Sequence, residues 1–399
     1  MNSSAQLKPE NQSVTPDAHL IASIRGSLPG PTLIVVGGIH GNEPAGVLAA
    51  ERVRLRMQRR KAVLHGEVVL LRGNTRALAQ RVRYIDADLN RQWTIEKART
   101  AGSAEVSELR EQNEMLTIVK KVISRARGEI YFLDLHTTSA HGQPFATVGD
   151  TLRNRRFALT FPLTIVLGLE EQIDGTMLEY MNNLGAITMG VEAGQHEAMT
   201  SVDHHEAVIW NASVSTGNFC REDVPELDES RSLLKQASGG RRVVEVRHRH
   251  AIVPEDHFKM EPGFKNFQAV RRGEVLAQER RGEIRARETG LILLPLYQPL
   301  GDDGFFLGRD VERFWLNLSA LLRKLKVGHY VHHLPGVRRD PVNENVLIIN
   351  TRIARILPLQ VFHLLGFRRL RWTDKYLVVT RRAYDLVGPR KIFGLEQGA

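Results

Sequence analysis

Apolar residues gather in short runs near 32–37, 67–72, 129–135, 163–168 and 186–191, each about the length of one strand and apolar at successive positions. That texture belongs to strands covered on both faces. Between the runs, residues 43–59, 103–126, 173–184 and about 200–218 carry apolar positions at helical spacing. The alternation predicts an α/β fold over residues 19–238, with a mixed, mostly parallel sheet flanked by helices. Residues 1–18, rich in Ser, Asn, Gln and Pro, read as a flexible arm. After the joint Ser238, Gly239, Gly240, Arg241, Arg242, the runs shorten and turn glycines recur at Gly273, Gly282 and Gly290. This spacing predicts a small β-barrel or sandwich over 239–310. Residues 311–399 read as a further α+β segment, with strands expected around 346–349 and 376–379.

Chemistry collects at the ends of these strands. The run 35–43 places His40 three residues before Glu43, where an apolar strand gives way to a helix. Imidazole nitrogen and carboxylate oxygen suit zinc, and a catalytic site needs three protein ligands. An ordinary tight turn, with Glu43 at a helix N-terminus, accounts for the same residues. The run 133–138 delivers His136 at the end of a second strand, with Asp134 on the same strand face and able to orient the imidazole. A core histidine beside a buried aspartate is the alternative. In an open parallel sheet both ends lie at the edge where ligands bind.

Two further segments add candidates. Arg83, Asn90 and Arg91 suit a carboxylate-bearing substrate, because guanidinium matches a carboxylate with two parallel hydrogen bonds. Surface pairs, Arg83 with Asp86 and Arg91 with Asp88, are the bland reading. Glu192, between small residues at 191–194, is a candidate general base or a strand-end glutamate bonded in a turn.

Taken in order, Gly-Gly-Ile-His-Gly-Asn-Glu at 37–43, Arg-Tyr-Ile-Asp-Ala-Asp-Leu-Asn-Arg at 83–91, Asp-Leu-His-Thr-Thr at 134–138 and Val-Glu-Ala-Gly at 191–194 resemble the succinylglutamate desuccinylase and aspartoacylase family, a branch of the zinc carboxypeptidase-like hydrolases. The resemblance covers roughly residues 30–310. It implies one zinc ion per chain on His40, Glu43 and His136, with Glu192 as the catalytic carboxylate. Arg83, Asn90 and Arg91 match the positions that grip substrate carboxylates, and Arg83 is also placed to polarise the scissile carbonyl. A small β-domain narrowing the active-site mouth is implied too, with a pocket tyrosine for which Tyr297 is the nearest candidate.

The chain departs from aspartoacylases at 168–175, where Glu170 and Glu171 stand and no arginine does. We read the acidic pair as capping the helix expected near Asp174, the alternative being contact with a basic or neutral substrate. The implied activity is zinc-assisted hydrolysis of the amide of an N-acyl amino acid or related small acylated molecule, Glu192 taking a proton from the metal-activated water. A metallocarboxypeptidase, and a non-catalytic binding protein using the basic C-terminal segment, are the other readings.

Composition fits a cytoplasmic protein: one cysteine, Cys220, rules out an internal disulfide framework, and no run approaches the length of a membrane span. Residues 311–399 hold 16 Lys and Arg against 6 Asp and Glu, the whole of the net charge of +10. Such a segment suits an anionic surface or nucleic acid, but the favoured reading is a solvated basic face around a packed core, because its aromatic residues show no stacking spacing.

Overall fold

The computed structural model describes residues 18–94, 106–350, 359–372 and 375–389. All but the last residue of the expected N-terminal arm lies outside these, as do residues 103–105 of the expected second helix. The first part of the chain runs β1 (Leu20–Arg25), β2 (Leu28–Gly37), α1 (Ala45–Arg59), β3 (His65–Arg72), α2 (Thr75–Gln80), α3 (Ser107–Arg125), β4 (Ile130–Thr138), β5 (Phe145–Val148), α4 (Leu152–Ala158), β6 (Thr164–Leu167), α5 (Met177–Asn183), β7 (Ile187–Gln195), α6 (Met199–Ser215) and α7 (Leu227–Ala237). All five expected strands and all four expected helices are present in this order. β1, β5, α2, α4 and α7 were not expected.

The sheet is buried on both faces, as the continuous apolar runs predict. Leu33 and Val35 of β2, Val68 and Leu70 of β3 and Leu133 and Leu135 of β4 pack into one core with Ala49, Val53 and Met57 of α1 and Trp210 of α6. Their neighbours Ile34, Val36, Val69, Leu71 and Phe132 point the other way, onto Met115, Val119 and Val122 of α3. Close approach demands glycine at the first turn: a Cβ on Gly37 would lie 2.5 Å from the backbone of Gly46, so α1 starts directly against the end of β2.

The chain continues through β8 (Val243–Ala251), β9 (Lys259–Met260), β10 (Gln268–Val270), β11 (Val275–Glu279), β12 (Gly282–Arg285), β13 (Gly290–Leu293) and β14 (Asp303–Asp310). β8, β14, β13 and β10 do not start a new sheet. They extend the first one, giving eleven strands in the order β1-β3-β2-β4-β7-β5-β6-β8-β14-β13-β10. From β1 to β8 the pairings are parallel except β1 with β3 and β5 with β7. β9, β11 and β12 form a three-stranded sheet beside it, around Met260, Leu276, Ile292 and Phe305.

Beyond Asp310 come α8 (Arg313–Lys324), β15 (Val337–Arg339), β16 (Val346–Asn350), α9 (Leu359–Leu364), β17 (Phe367–Trp372) and β18 (Tyr376–Arg381). The strands make a four-stranded antiparallel sheet with its own apolar core, including Leu347, Ile349, Phe362 and Val379. Among the described residues no helix is long and apolar enough to cross a membrane.

Candidate active site

Three parallel strand ends and one loop converge on a single cavity. β2 leads into His40 and Glu43, β4 carries Asp134 and His136, β7 carries Glu192, and the loop after α2 brings Arg83, Asn90 and Arg91; all eight line it. In the sheet His136 lies directly beside Glu192. The expected metal ligands meet: one donor atom each of His40, Glu43 and His136 lie within 4.8 Å of one another. His40 Nδ1 is 2.8 Å from Glu43 Oε1, and His136 Nδ1 is 3.2 Å from Glu43 Oε2. The Thr137 backbone N–H donates to Glu43 Oε2 at 2.9 Å and fixes the carboxylate.

On each histidine the second nitrogen faces an aspartate. His136 Nε2 stands 3.0 Å from Asp134 and His40 Nε2 3.3 Å from Asp88. This carboxylate–imidazole arrangement is how metal-ligating histidines are oriented, and the nitrogen and oxygen donors fit a zinc-like ion. Burial disfavours a charge on His136, yet Asp134 and Glu43 raise its pKa well above the usual histidine value. Burial likewise opposes the charge on Glu43, but the two histidines hold it well below the usual carboxylate range. The pocket is therefore built around alternating charge.

Glu192 differs. Its Oε2 is buried with no hydrogen-bond partner, and burial, reinforced by Glu43 and Asp134 and opposed by His136, pushes its pKa up to about 8.

The loop 83–91 is held from below by a residue the sequence did not point to. Glu108, fully buried in α3, accepts the backbone N–H groups of Ile85 at 2.7 Å and of Asp86 and Ala87 at 3.1 Å, and the side chain of Asn74 at 3.0 Å. Nothing distinguishes it locally from any other helical glutamate. Arg83 donates to Asp88 at 2.9 Å rather than to Asp86, which accepts from the N–H of Ser107 at the start of α3. Arg91 pairs with Asp302 and Asp303 at 3.5 and 3.4 Å. Asn90 Oδ1 accepts the N–H of Met177, which turns its amide NH2 into the group available for donation.

Other expectations need correction. Tyr297 does not line the cavity: its hydroxyl accepts from the Phe264 N–H at 2.9 Å and donates to the Glu261 carbonyl at 2.8 Å, pinning the mouth loop instead. Leu296 and Gln298 beside it do face inward. Glu170 and Glu171 cap no helix. Thr176 caps α5, accepting from the Glu179 N–H, while Glu170 lines the cavity. His196 also lines the cavity, bonded to Thr137 and Gln298. His204 and His205 are buried in α6.

A second cluster, His19, Glu111 and Glu114, has donor atoms equally close together. There a cation is already in place, since the Arg76 guanidinium donates to both Glu111 and Glu114.

The basic C-terminal segment reaches the same region from behind. Asp150, fully buried at the end of β5, takes bidentate bonds from Arg155 at 2.6 and 2.8 Å, a bond from Arg323 of α8 at 3.0 Å and another from Arg368 of β17. Arg368 also donates to Glu245 at 2.6 Å, and Arg382 to Glu171 at 2.8 Å. Three arginines of this segment thus face buried carboxylates of the preceding part of the chain.

A family model described as "Succinylglutamate desuccinylase/Aspartoacylase catalytic domain" matches residues 29–213, which include the donor triad and Glu192. An N-acyl-aromatic-L-amino acid amidohydrolase (carboxylate-forming) of Xenopus laevis is 26% identical over 271 residues, 63% of this chain and 86% of that relative. One from Xenopus tropicalis is 34% identical over 110 residues, covering 27% of this chain and 34% of the relative. Among solved structures, a succinylglutamate desuccinylase/aspartoacylase from Rhodobacter sphaeroides superposes with a TM-score of 0.55 at 18% identity, covering 72% of this chain and 88% of its own. The product-bound ectoine utilization protein EutE (DoeB) from Ruegeria pomeroyi gives 0.53 at 18% identity, over 73% and 88%. At those identities the two structures speak for the fold alone. The match, which spans all four motifs, shows residues 29–213 of this chain to be similar to the succinylglutamate desuccinylase/aspartoacylase catalytic domain.

Proposed function

We propose that the protein is a zinc-dependent amidohydrolase that releases the acyl group of an N-acyl amino acid or related small acylated molecule. The reading is carried by Glu192 Oε2, a buried and unpartnered carboxylate oxygen in the cavity that also holds the histidine–glutamate triad. Leaving such an atom unsatisfied is costly, and in a cleft it suits a group waiting for a proton. His40, Glu43 and His136 would hold the metal, with Asp88 and Asp134 orienting the imidazoles. Bound zinc would supply a Lewis acid that acidifies water and polarises the carbonyl. Glu192 would accept the proton of the attacking water and return it to the departing amine. Arg83, kept cationic by Asp88 and Glu43 against the opposing effect of burial, would donate to the developing oxyanion, a contribution of about 3 to 4 kcal/mol for one such donor. The Asn90 amide and Arg91 would hold the substrate carboxylate. The names of the two Xenopus relatives support the reaction class.

The test is release of free amine by zinc-loaded protein from N-acetyl, N-formyl and N-succinyl amino acids, with unblocked dipeptides alongside. Chelator-sensitive turnover of acyl amino acids is expected. Turnover of dipeptides alone, or none at all, would overturn the proposal.

A further inference from the structure

Two rows of side chains cross the sheet under the cavity. His136, Glu192 and Phe145 are paired across β4, β7 and β5, and two residues along each strand the next row is Asp134, Gly190 and Thr147. Residues two apart share a face, so both rows look into the same space. The second row is open at its centre. A Cβ at Gly190 would lie 2.5 Å from Thr147 Oγ1, so only glycine leaves the gap. Across that gap stands Glu170, about 9% exposed, with Oε1 accepting from the Thr147 hydroxyl at 3.0 Å and Oε2 3.5 Å from Thr176 Oγ1. A carboxylate has about four lone-pair positions, so two hydroxyls leave it room for another donor.

The charges lining the cavity point the same way. Beyond the carboxylates that the metal, its histidines and the attacking water would occupy, Glu170, Asp302 and Asp303 line the cavity together with the guanidinium groups of Arg83 and Arg91. Both guanidiniums already have carboxylate partners of this chain. Arg382 lies behind Glu170 but bonds its carbonyl oxygen and the Glu171 carboxylate. A substrate with a second carboxylate would therefore meet an acidic wall, whereas a cationic one would complete it.

We propose that Glu170 is a specificity-determining residue that receives a cationic amine on the substrate side chain, so that the preferred substrates are Nα-acyl derivatives of basic amino acids. This rests on the deacylase reading. Adjacent strands are about 4.8 Å apart, so Thr147 on β5 lies roughly 10 Å from the β4 strand that carries His136. With the scissile amide beside the metal ligands, an aliphatic side chain of three or four methylenes bridges most of that span.

The experiment compares zinc-loaded full-length protein on Nα-acetyl derivatives of lysine, ornithine, norleucine, tyrosine and glutamate. In parallel, calorimetry follows binding of free lysine and norleucine. Lysine or ornithine derivatives are expected to exceed norleucine by about 10- to 100-fold in kcat/KM, the range for one buried charged hydrogen bond. Free lysine should bind more tightly than norleucine by a similar factor. Glu170→Gln should collapse both ratios, and Thr147→Val, which removes the hydroxyl bonded to Glu170 Oε1, should reduce them in a separately folded variant. Preference for tyrosine, norleucine or glutamate over the basic substrates would overturn the assignment while leaving the deacylase reading intact. Lysine-selective binding without hydrolysis of any compound would overturn the deacylase reading and keep the amine subsite. Neither selective binding nor turnover would remove both.

Discussion

Arg382, just beyond β18, donates from Nε to Glu171 Oε1 at 2.8 Å and from Nη2 to the Glu170 carbonyl at 3.1 Å, so a residue near the described C-terminal end braces the wall of the cavity more than 200 positions earlier. Glu171 also accepts the Asp150 N–H at 2.8 Å. Removing the guanidinium would leave a buried carboxylate without its cation. Arg382→Ala is expected to cost about 3 to 5 kcal/mol of stability, read as a lower urea midpoint. An unchanged midpoint would mean the pair contributes nothing.

Truncation should be worse than any single change. A chain ending at Asp310 lacks Arg323, Arg368 and Arg382 and leaves Asp150, Glu171 and Glu245 short of their partners. We expect such a chain to be aggregated or molten, with weak near-ultraviolet circular dichroism. A soluble, active truncate would show the segment to be a dispensable appendage.

Acid should act through Asp150. Burial alone would raise its pKa, but Arg155, Arg368 and Arg323 hold it well below the usual aspartate value. A depressed folded pKa gives stability that is full above the unfolded value, about 3.9, and is lost as pH falls from there toward the folded one. Urea midpoints should therefore drop steeply below about pH 4. In Asp150→Asn the protein should be weaker at neutral pH, and that part of the slope should disappear.

Separating the metal from the base gives the sharpest reading of the site. Glu192→Gln should retain one metal ion per chain by elemental analysis while turnover falls by about 100- to 10,000-fold, the usual contribution of a general base. His136→Ala should lose the metal itself. Full turnover in Glu192→Gln would transfer the base role to another group.

What was legible in the sequence follows from what local physics controls. β2, β4 and β7 were readable because strands buried on both faces leave unbroken apolar runs, and His40, His136 and Glu192 sit where those runs stop. β5 is four residues long and antiparallel to β7, too short for any period to show. The carboxylates on the two histidines were half visible: Asp134 shares a strand face with its partner, whereas Asp88 meets His40 only through the fold of a loop buttressed by Glu108. The C-terminal arginines announced themselves as charge, but their carboxylate partners lie up to 218 residues away, and no composition count reveals such a pairing. Tyr297, the nearest candidate for the pocket tyrosine that the resemblance implies, instead spends its hydroxyl on the backbone of Phe264 and Glu261, contacts more than 30 residues away that no local pattern shows.

The loop at 294–302 joins β13 to β14, and both strands are rungs of the same eleven-stranded sheet that carries His136 and Glu192. It is fastened again along its length, by Leu294 to Asn266, by Tyr297 to Ser139 and by Gln298 to Asn42. A lid needs a hinge, a few backbone positions free to rotate between two packed arrangements. Here the doorway and the chemistry share one frame, so the aperture is expected to keep its shape when a ligand binds.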